Sequence, residues 1–473
     1  MGEAKNGAKL GIFSLAMINV AAVLSLRSMP GMADYGYALI FYLTLASFCF
    51  FIPSALVSAE LASGWPKKGG VFLWVREAFG PKWGFVAIFM QWVENLPWFP
   101  AILAFAAAAV AYVFNPALAS NKLFVVAVIW VSLWAATFLN FRSMKLSAFL
   151  SSSGVISGTI IPGIVIIILG AIHVFSGKAL AITFSPEALV PKLDNLNQLM
   201  LLAGMLMGIS GMEMSAVHVT DVENPKKNFP KAIFIACAII IFLSVVGSLS
   251  IAVVVPIKDI SFSAGVFQAF HDLFQAHGIP WATPIISLLL AYGALTMVVT
   301  WMAGPSKGVL EVAKDGYLPK FMQKQNEYGM PIGTLIVQAV FSTILSFAIL
   351  LMPTVSSAFW IMSALAVQLY LVMYLLMFAA AIKLRYSQPE VERPYKIPGG
   401  NIGMWIVSGI AFLTSLFVAI FGFIPTQAVR DKGIPAMIAY VTFLLVGVII
   451  FVAIPIIFYS RAEKKETGGH HEA

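Results

Sequence analysis

Three charged residues interrupt stretches of this chain that are otherwise apolar: Arg27, Glu94 and Glu213. A charge at the centre of a bilayer costs about 2.5–3.5 kcal/mol on insertion scales, so each one calls for a partner or a task. Arg27 lies in Ser25-Leu-Arg-Ser-Met-Pro-Gly31, and Glu94 in Gln91-Trp-Val-Glu-Asn-Leu-Pro97. Glu213 closes Met205-Leu-Met-Gly-Ile-Ser-Gly-Met-Glu213. The planar fork of Arg27 suits a substrate carboxylate in bidentate fashion, or an internal ion pair with Glu94 or Glu213. Glu213 is a candidate proton carrier or gate, or an acceptor for backbone N–H groups freed by nearby glycines. His218, five residues on, titrates in a useful range, although a lone helical histidine is more often hydrogen-bonded packing. Glu60 sits near one end of its own apolar run.

These charges need irregular backbone to serve a ligand. Pro30 and Gly31 break the first apolar run, and Gly208 and Gly211 break the sixth at a comparable depth. Unpaired N–H and C=O groups inside a bilayer persist only where they face protein, water or a ligand. A half-helix N-terminus attracts a carboxylate and a half-helix C-terminus attracts an ammonium group, so two breaks together suit a zwitterion. The plainer reading is that Pro30 and Gly31 only kink a helix, and that Gly208 and Gly211 only ease close packing. The candidate substrate-binding residues at the breaks are Arg27, Ser28, Met29 and Gly31 in one and Gly208, Ser210 and Gly211 in the other. Glu94 comes from the third run at similar depth.

The elements that must hold these residues are membrane helices. The 473 residues are 60% hydrophobic and 11% charged, with a mean hydropathy of +0.91; a soluble protein carries about 25% charged residues. Twelve segments can cross a bilayer, at roughly 10–33, 37–61, 83–113, 123–140, 147–174, 198–221, 231–255, 281–305, 331–352, 357–384, 402–424 and 435–459. Of the 29 lysines and arginines, 22 fall on one side of these spans and six on the other, with Arg27 inside the first. By the positive-inside rule both termini are cytoplasmic. The basic residues are scattered through short loops, which excludes a nucleic-acid surface and leaves the lipid bilayer as the surrounding partner. Residues 1–9 show no cleavable signal peptide. His271-Asp272-Leu273-Phe274 reads as a short interfacial helix, and Val309–Gln325 as another. His173 reads as interfacial, at the outer end of span five. Cys49 and Cys237 read as buried small hydrophobes. No histidine–cysteine cluster has metal-ligand spacing, and nothing calls for a cofactor.

Five spans separate the two broken ones, the spacing of an inverted repeat. The run Gly211-Met-Glu-Met-Ser-Ala-Val-His-Val-Thr-Asp-Val-Glu-Asn-Pro-Lys resembles the sixth span and following loop of amino acid–polyamine–organocation permeases. More narrowly it resembles their glutamate/γ-aminobutyrate antiporter branch. Ala59-Glu-Leu-Ala62, Gly69-Gly-Val-Phe-Leu-Trp-Val75, Gly304-Pro-Ser-Lys-Gly308 and Arg393-Pro-Tyr-Lys-Ile-Pro-Gly-Gly400 extend the likeness along nearly the whole chain. The resemblance implies an all-α membrane fold of twelve transmembrane helices. Spans 1–5 and 6–10 would be two inverted five-helix repeats with spans 1 and 6 broken, and two helices would be peripheral. The chain then divides into a tail (1–9), a transport core (10–384), a cytoplasmic loop (385–401), peripheral spans eleven and twelve (402–459) and a second tail (460–473).

The resemblance also places a substrate among spans one, three, six, eight and ten. Tyr370 and Tyr374 on span ten and Trp301 on span eight match aromatic pocket positions of the antiporter branch. The chain departs from that branch too. Arg27 and Ser28 stand where the antiporter has a tyrosine–glutamate pair, and Met297 replaces an acid four residues before Trp301. About 14 residues follow span twelve, so the branch's long C-terminal plug has no counterpart.

The resulting expectation is a secondary transporter of amino acids in a bacterial-type inner membrane, working by alternating access and by exchange. A proton-coupled symporter of neutral amino acids is the alternative, and sodium coupling through Ser151-Ser-Ser-Gly154 a lesser one. A channel would need repeated filter elements or charged rings, a sensor would need an output domain, and no hydrolase or metalloenzyme motif is present.

Overall fold

The structure is a computed structural model, and it describes residues 11–65, 69–142, 150, 152–191, 209–213, 223–256, 259–261, 263–425 and 427–469. Among these residues the fold is helical without strands, and ten helices are long and apolar enough to cross a membrane. The first apolar run is split into α1 (Ile12–Val23) and α2 (Met29–Ala33). There follow α3 (Gly36–Gly64), α4 (Val71–Phe79), α5 (Pro81–Phe114), α6 (Lys122–Asn140) and α7 (Ser152–Phe175). Beyond the second break lie α8 (Pro225–Ala252), α9 (Gly265–Ala276), α10 (Ala282–Lys314), α11 (Ile332–Leu351) and α12 (Val355–Ser387). The chain closes with α13 (Gly400–Phe421) and α14 (Ile434–Gly469).

Burial separates centre from rim. In the most apolar stretch of α5, 78% of residues are buried, against 11% in α14. Helix α5 packs against α6, α10, α11 and α12, whereas α14 shows Ile434, Ile438 and Ile449 outward. In water such a surface would aggregate; in a bilayer it faces acyl chains.

Close helix contacts fix the middle of the bundle. A Cβ on Gly158 of α7 would lie 2.3 Å from the Gly293 Cα of α10, and one on Gly154 would overlap the Thr296 side chain. The two backbones therefore touch at a glycine-on-glycine crossing, the small-residue packing that lipid-embedded helices use.

Two surface segments differ in extent from the sequence reading. The interfacial helix around His271–Phe274 is the twelve-residue α9, which buries Val266, Phe267, Phe270, Leu273 and Phe274. The segment from Val309 does not begin a separate helix. Helix α10 runs on to Lys314 despite Pro305, and only a short 3-10 turn at Lys320–Gln323 follows.

Candidate functional site

The first break is a change of backbone, not a bend. Leu24 and Ser25 are extended, with φ/ψ of −70/118° and −134/123°. A single 3-10 turn, Leu26–Ser28, then leads into α2. Pro30 sits in the first turn of α2, where its missing N–H costs no helical bond. At the second break Gly211 has φ +117°, a conformation open to glycine and strained for other residues. Ile209 to Met212 are non-helical before Glu213. Gly208 and His218 lie outside the described residues.

A third irregularity falls at Glu94. Pro97 has no N–H to donate to the Val93 carbonyl, so α5 turns at Glu94 (φ −58°, ψ −29°) before resuming at Asn95. The turn lies inside the most buried helix, and the Glu94 side chain is only 4% exposed.

Glu213 is the most fully engaged of the three charges. Its Oε1 accepts from Gln91 Nε2 at 3.4 Å and from the Tyr370 hydroxyl. Its Oε2 accepts from the Tyr374 hydroxyl at 2.5 Å. The same Tyr374 oxygen accepts from the Gly211 N–H at 2.8 Å, so one hydroxyl ties the freed backbone of the break to the acid beside it. Tyr370 and Tyr374 lie four residues apart on one face of α12, with ring centroids 4.8 Å apart.

Arg27 is held differently. Its guanidinium stands 5.3 Å from the Phe359 ring centre and 5.8 Å from that of Trp98. Its Nε is buried and, among the described residues, has no hydrogen-bond partner. Glu94 is close enough to act on both Arg27 and Glu213 electrostatically, yet no Arg27–carboxylate contact within 4 Å forms among the described residues. Cation–π contacts contribute about 0.5–2 kcal/mol each, depending on desolvation. They offset part of the cost of placing Arg27 there and leave its Nε available as a donor.

An aromatic path connects the two breaks. From Arg27 it passes to Trp98, then to Trp301 at 5.6 Å, and to Tyr370 at 6.3 Å. Met297 does not join this path. It lines a cavity of about 10 Å³ with Ser25, Arg27, Phe105, Gly158 and Gly293. That volume suits roughly one water molecule, so an amino acid could enter only if the walls parted.

Of the remaining residues read from sequence, Met29 turns away from this centre and packs where a Cβ on Gly247 of α8 would stand. Ser28, Gly31 and Ser210 are partly exposed at the breaks. In the serine cluster, Ser151 lies outside the described residues, and Ser153 shares a 2.7 Å hydrogen bond with the Tyr292 hydroxyl. Sequence reasoning passed over Gln91, Trp98 and Phe359. A signal existed for two of them: Gln91 stands three residues before Glu94 and Trp98 four after, so all three share a helix face.

A second buried charge cluster lies away from the breaks. Glu60, at the end of α3, takes both Nε and Nη2 of Arg385 at 2.5 and 2.6 Å. The Ile397 N–H donates to it at 2.7 Å, and Arg393 Nε stands at 3.6 Å. Arg393 also donates to the Val391, Leu384 and Gln388 carbonyls. Burial pushes the Arg393 pKa down from its ordinary value, and the Glu60 charge pushes it back up.

This architecture of apolar helices broken beside buried charges is that of a multi-pass membrane transporter. The chain matches the amino acid permease family over residues 10–456, and it belongs to that family. It is 42% identical over 456 residues to an uncharacterised transporter of Legionella pneumophila, covering 96% of this chain and 97% of the relative. It is 32% identical over 467 residues to a glutamate/gamma-aminobutyrate antiporter of Lactococcus lactis, covering 97% and 92%. A probable agmatine/putrescine antiporter of the same species is 24% identical over 450 residues.

Proposed function

We propose that this permease is an alternating-access exchanger of amino acids in the cell membrane. It would have twelve spans in two inverted repeats and both termini on the cytoplasmic side. The observation that carries the reading is the contrast between the two breaks. One offers a cation, Arg27, beside two aromatic rings, with its Nε unpartnered among the described residues. The other has its freed N–H and its acid already engaged by Tyr374.

A substrate carboxylate docks on Arg27, and the substrate displaces the aromatic contacts as it enters. Ser28, Met29 and Gly31 frame the first break, while Gly208, Ser210 and Gly211 frame the second. Trp301, Tyr370 and Tyr374 form the aromatic wall, and Met297 closes the chamber behind Arg27. Glu213 gates. Entry of substrate breaks its tyrosine bonds and frees the second break to move with the helices around it. Glu94 tempers the charge of Arg27, and His218 serves the gate from the cytoplasmic side. Exchange rather than proton-coupled uptake is supported by the similarity to antiporters over nearly the full chain.

The test is counterflow in proteoliposomes. Uptake of labelled glutamate, γ-aminobutyrate and neutral amino acids is followed with and without internal amino acid. Uptake that requires internal amino acid supports exchange; uptake driven equally well by a proton gradient alone would sink it.

A further inference from the structure

Far from the breaks, two histidines face one another. His173 is in the last turn of α7, and His277 directly follows α9. Their ring centroids are 6.2 Å apart with planes at 62°. His173 is 7% exposed. Each ring has one nitrogen on a backbone carbonyl: His173 Nε2 stands 3.4 Å from the Ala179 oxygen, and His277 Nδ1 stands 2.8 Å from the Leu273 oxygen. Each has its other nitrogen buried and, among the described residues, without a hydrogen-bond partner: Nδ1 of His173 and Nε2 of His277.

In a neutral imidazole the nitrogen on the carbonyl carries the proton, and the other presents a lone pair. Carbonyl anchoring of the far nitrogen is also how metal-binding histidines are oriented. Two buried lone pairs without a donor are costly to leave unmet. With metal–nitrogen bonds of about 2.0–2.1 Å, one ion shared by two imidazoles sets their centroids roughly 5–6 Å apart. The observed 6.2 Å is close to that spacing.

We propose that His173 and His277 bind one divalent transition-metal ion of the zinc or copper type. Water completes the coordination, because no group of three or more histidine, cysteine or acidic side chains gathers among the described residues. The ammonium of Lys178 donates to the Ala276 carbonyl next to His277, which brings a positive charge to the site. It weakens the hold on a cation, so binding should fall in the micromolar range and not approach that of a four-ligand structural site. The site has leverage on transport. At the other end of α9, Gly265 packs against Pro30 of the first break, where an added Cβ would come within 2.9 Å. An ion that ties the end of α7 to the end of α9 therefore restrains the helix that buttresses the break.

The experiment is Zn²⁺ titration by calorimetry of the full-length protein in nanodiscs. His470 and His471 are changed to alanine so that the tail cannot bind. One saturable site is expected, weakened at least tenfold by either His173→Ala or His277→Gln, with amino acid exchange slowed by Zn²⁺ in the background protein only. Absence of saturable binding up to millimolar Zn²⁺, or affinity unchanged in both variants, overturns the proposal. X-ray absorption on the zinc-loaded background protein is independent of how well the variants fold. A shell with two imidazole nitrogens supports the site, and a shell with one or none rejects it.

Discussion

The two buried charge clusters of this protein use similar residues for opposite ends. At Glu60, charge is matched fully: the carboxylate receives Arg385 in fork-to-fork geometry, a backbone N–H, and the nearby Arg393. The cluster ties the end of α3 to the end of α12 and to the segment that leads into α13. At the breaks, Glu94 is near enough to feel both Arg27 and Glu213, but among the described residues Arg27 closes no ion pair. Breaking a saturated buried pair strands a charge, whereas an unclosed charge can accept a newcomer without first losing a partner. The first arrangement holds helices together, and the second keeps a place for a ligand.

That contrast fails or sharpens on substitution. The largest effect belongs to Glu60→Ala, which strands Arg385 and the Ile397 N–H. A loss of about 3–5 kcal/mol is expected, on the scale for removing one partner of a buried pair. The unfolding midpoint of the purified protein should drop sharply and expression should fall; a midpoint within a degree or two of wild type would show that the cluster is not structural. Arg27→Ala should do the reverse. Stability holds or rises because a half-buried charge that is costly inside a bilayer is removed, while affinity for a carboxylate-bearing substrate falls about 10- to 100-fold, the value of one or two charge-assisted hydrogen bonds. Isothermal binding and thermal unfolding on the same preparation separate the two quantities. Glu94→Gln should tighten the same binding a few-fold, because the neighbouring negative charge no longer competes for Arg27. Weaker binding in that variant would mean that Glu94 itself touches the substrate.

Much of this was legible in the sequence because a charge or a broken helix stands out against an apolar background. Arg27, Glu94, Glu213 and the glycines of both breaks stand out for that reason alone. The partners do not. Tyr370 and Tyr374 are four apart, which places them on one face of a helix, but helical periodicity cannot say that this face meets Glu213, 157 and 161 positions earlier in the chain. Family resemblance points to them where physics on a single sequence does not. Glu60 and Arg385 are 325 residues apart, and nothing local in either neighbourhood announces the other. Gln91 and Trp98 were within reach of the i, i+3 and i, i+4 rule applied around Glu94. The turn at Glu94 follows from Pro97, two helix-forming segments being joined where one carbonyl loses its donor.

The smallest effects distinguish the two tyrosines of the gate. Tyr370→Phe removes one of the three side-chain donors to Glu213 among the described residues, and Gln91 and Tyr374 remain. A cost of about 0.5–1.5 kcal/mol is expected, the net value of an ordinary hydrogen bond. Tyr374→Phe removes a donor to Glu213 and also the acceptor of the Gly211 N–H. Leaving that amide unmet adds about 1–3 kcal/mol. The second variant should therefore be the less stable of the two, and its apparent transport rate should change more, because the break loses its tether as well as its acid a partner. Thermal unfolding and exchange rates measured side by side decide the matter. Equal losses in the two variants would mean that the Gly211 amide finds another acceptor when Tyr374 is gone, and that the hydroxyl is not what joins the break to the acid.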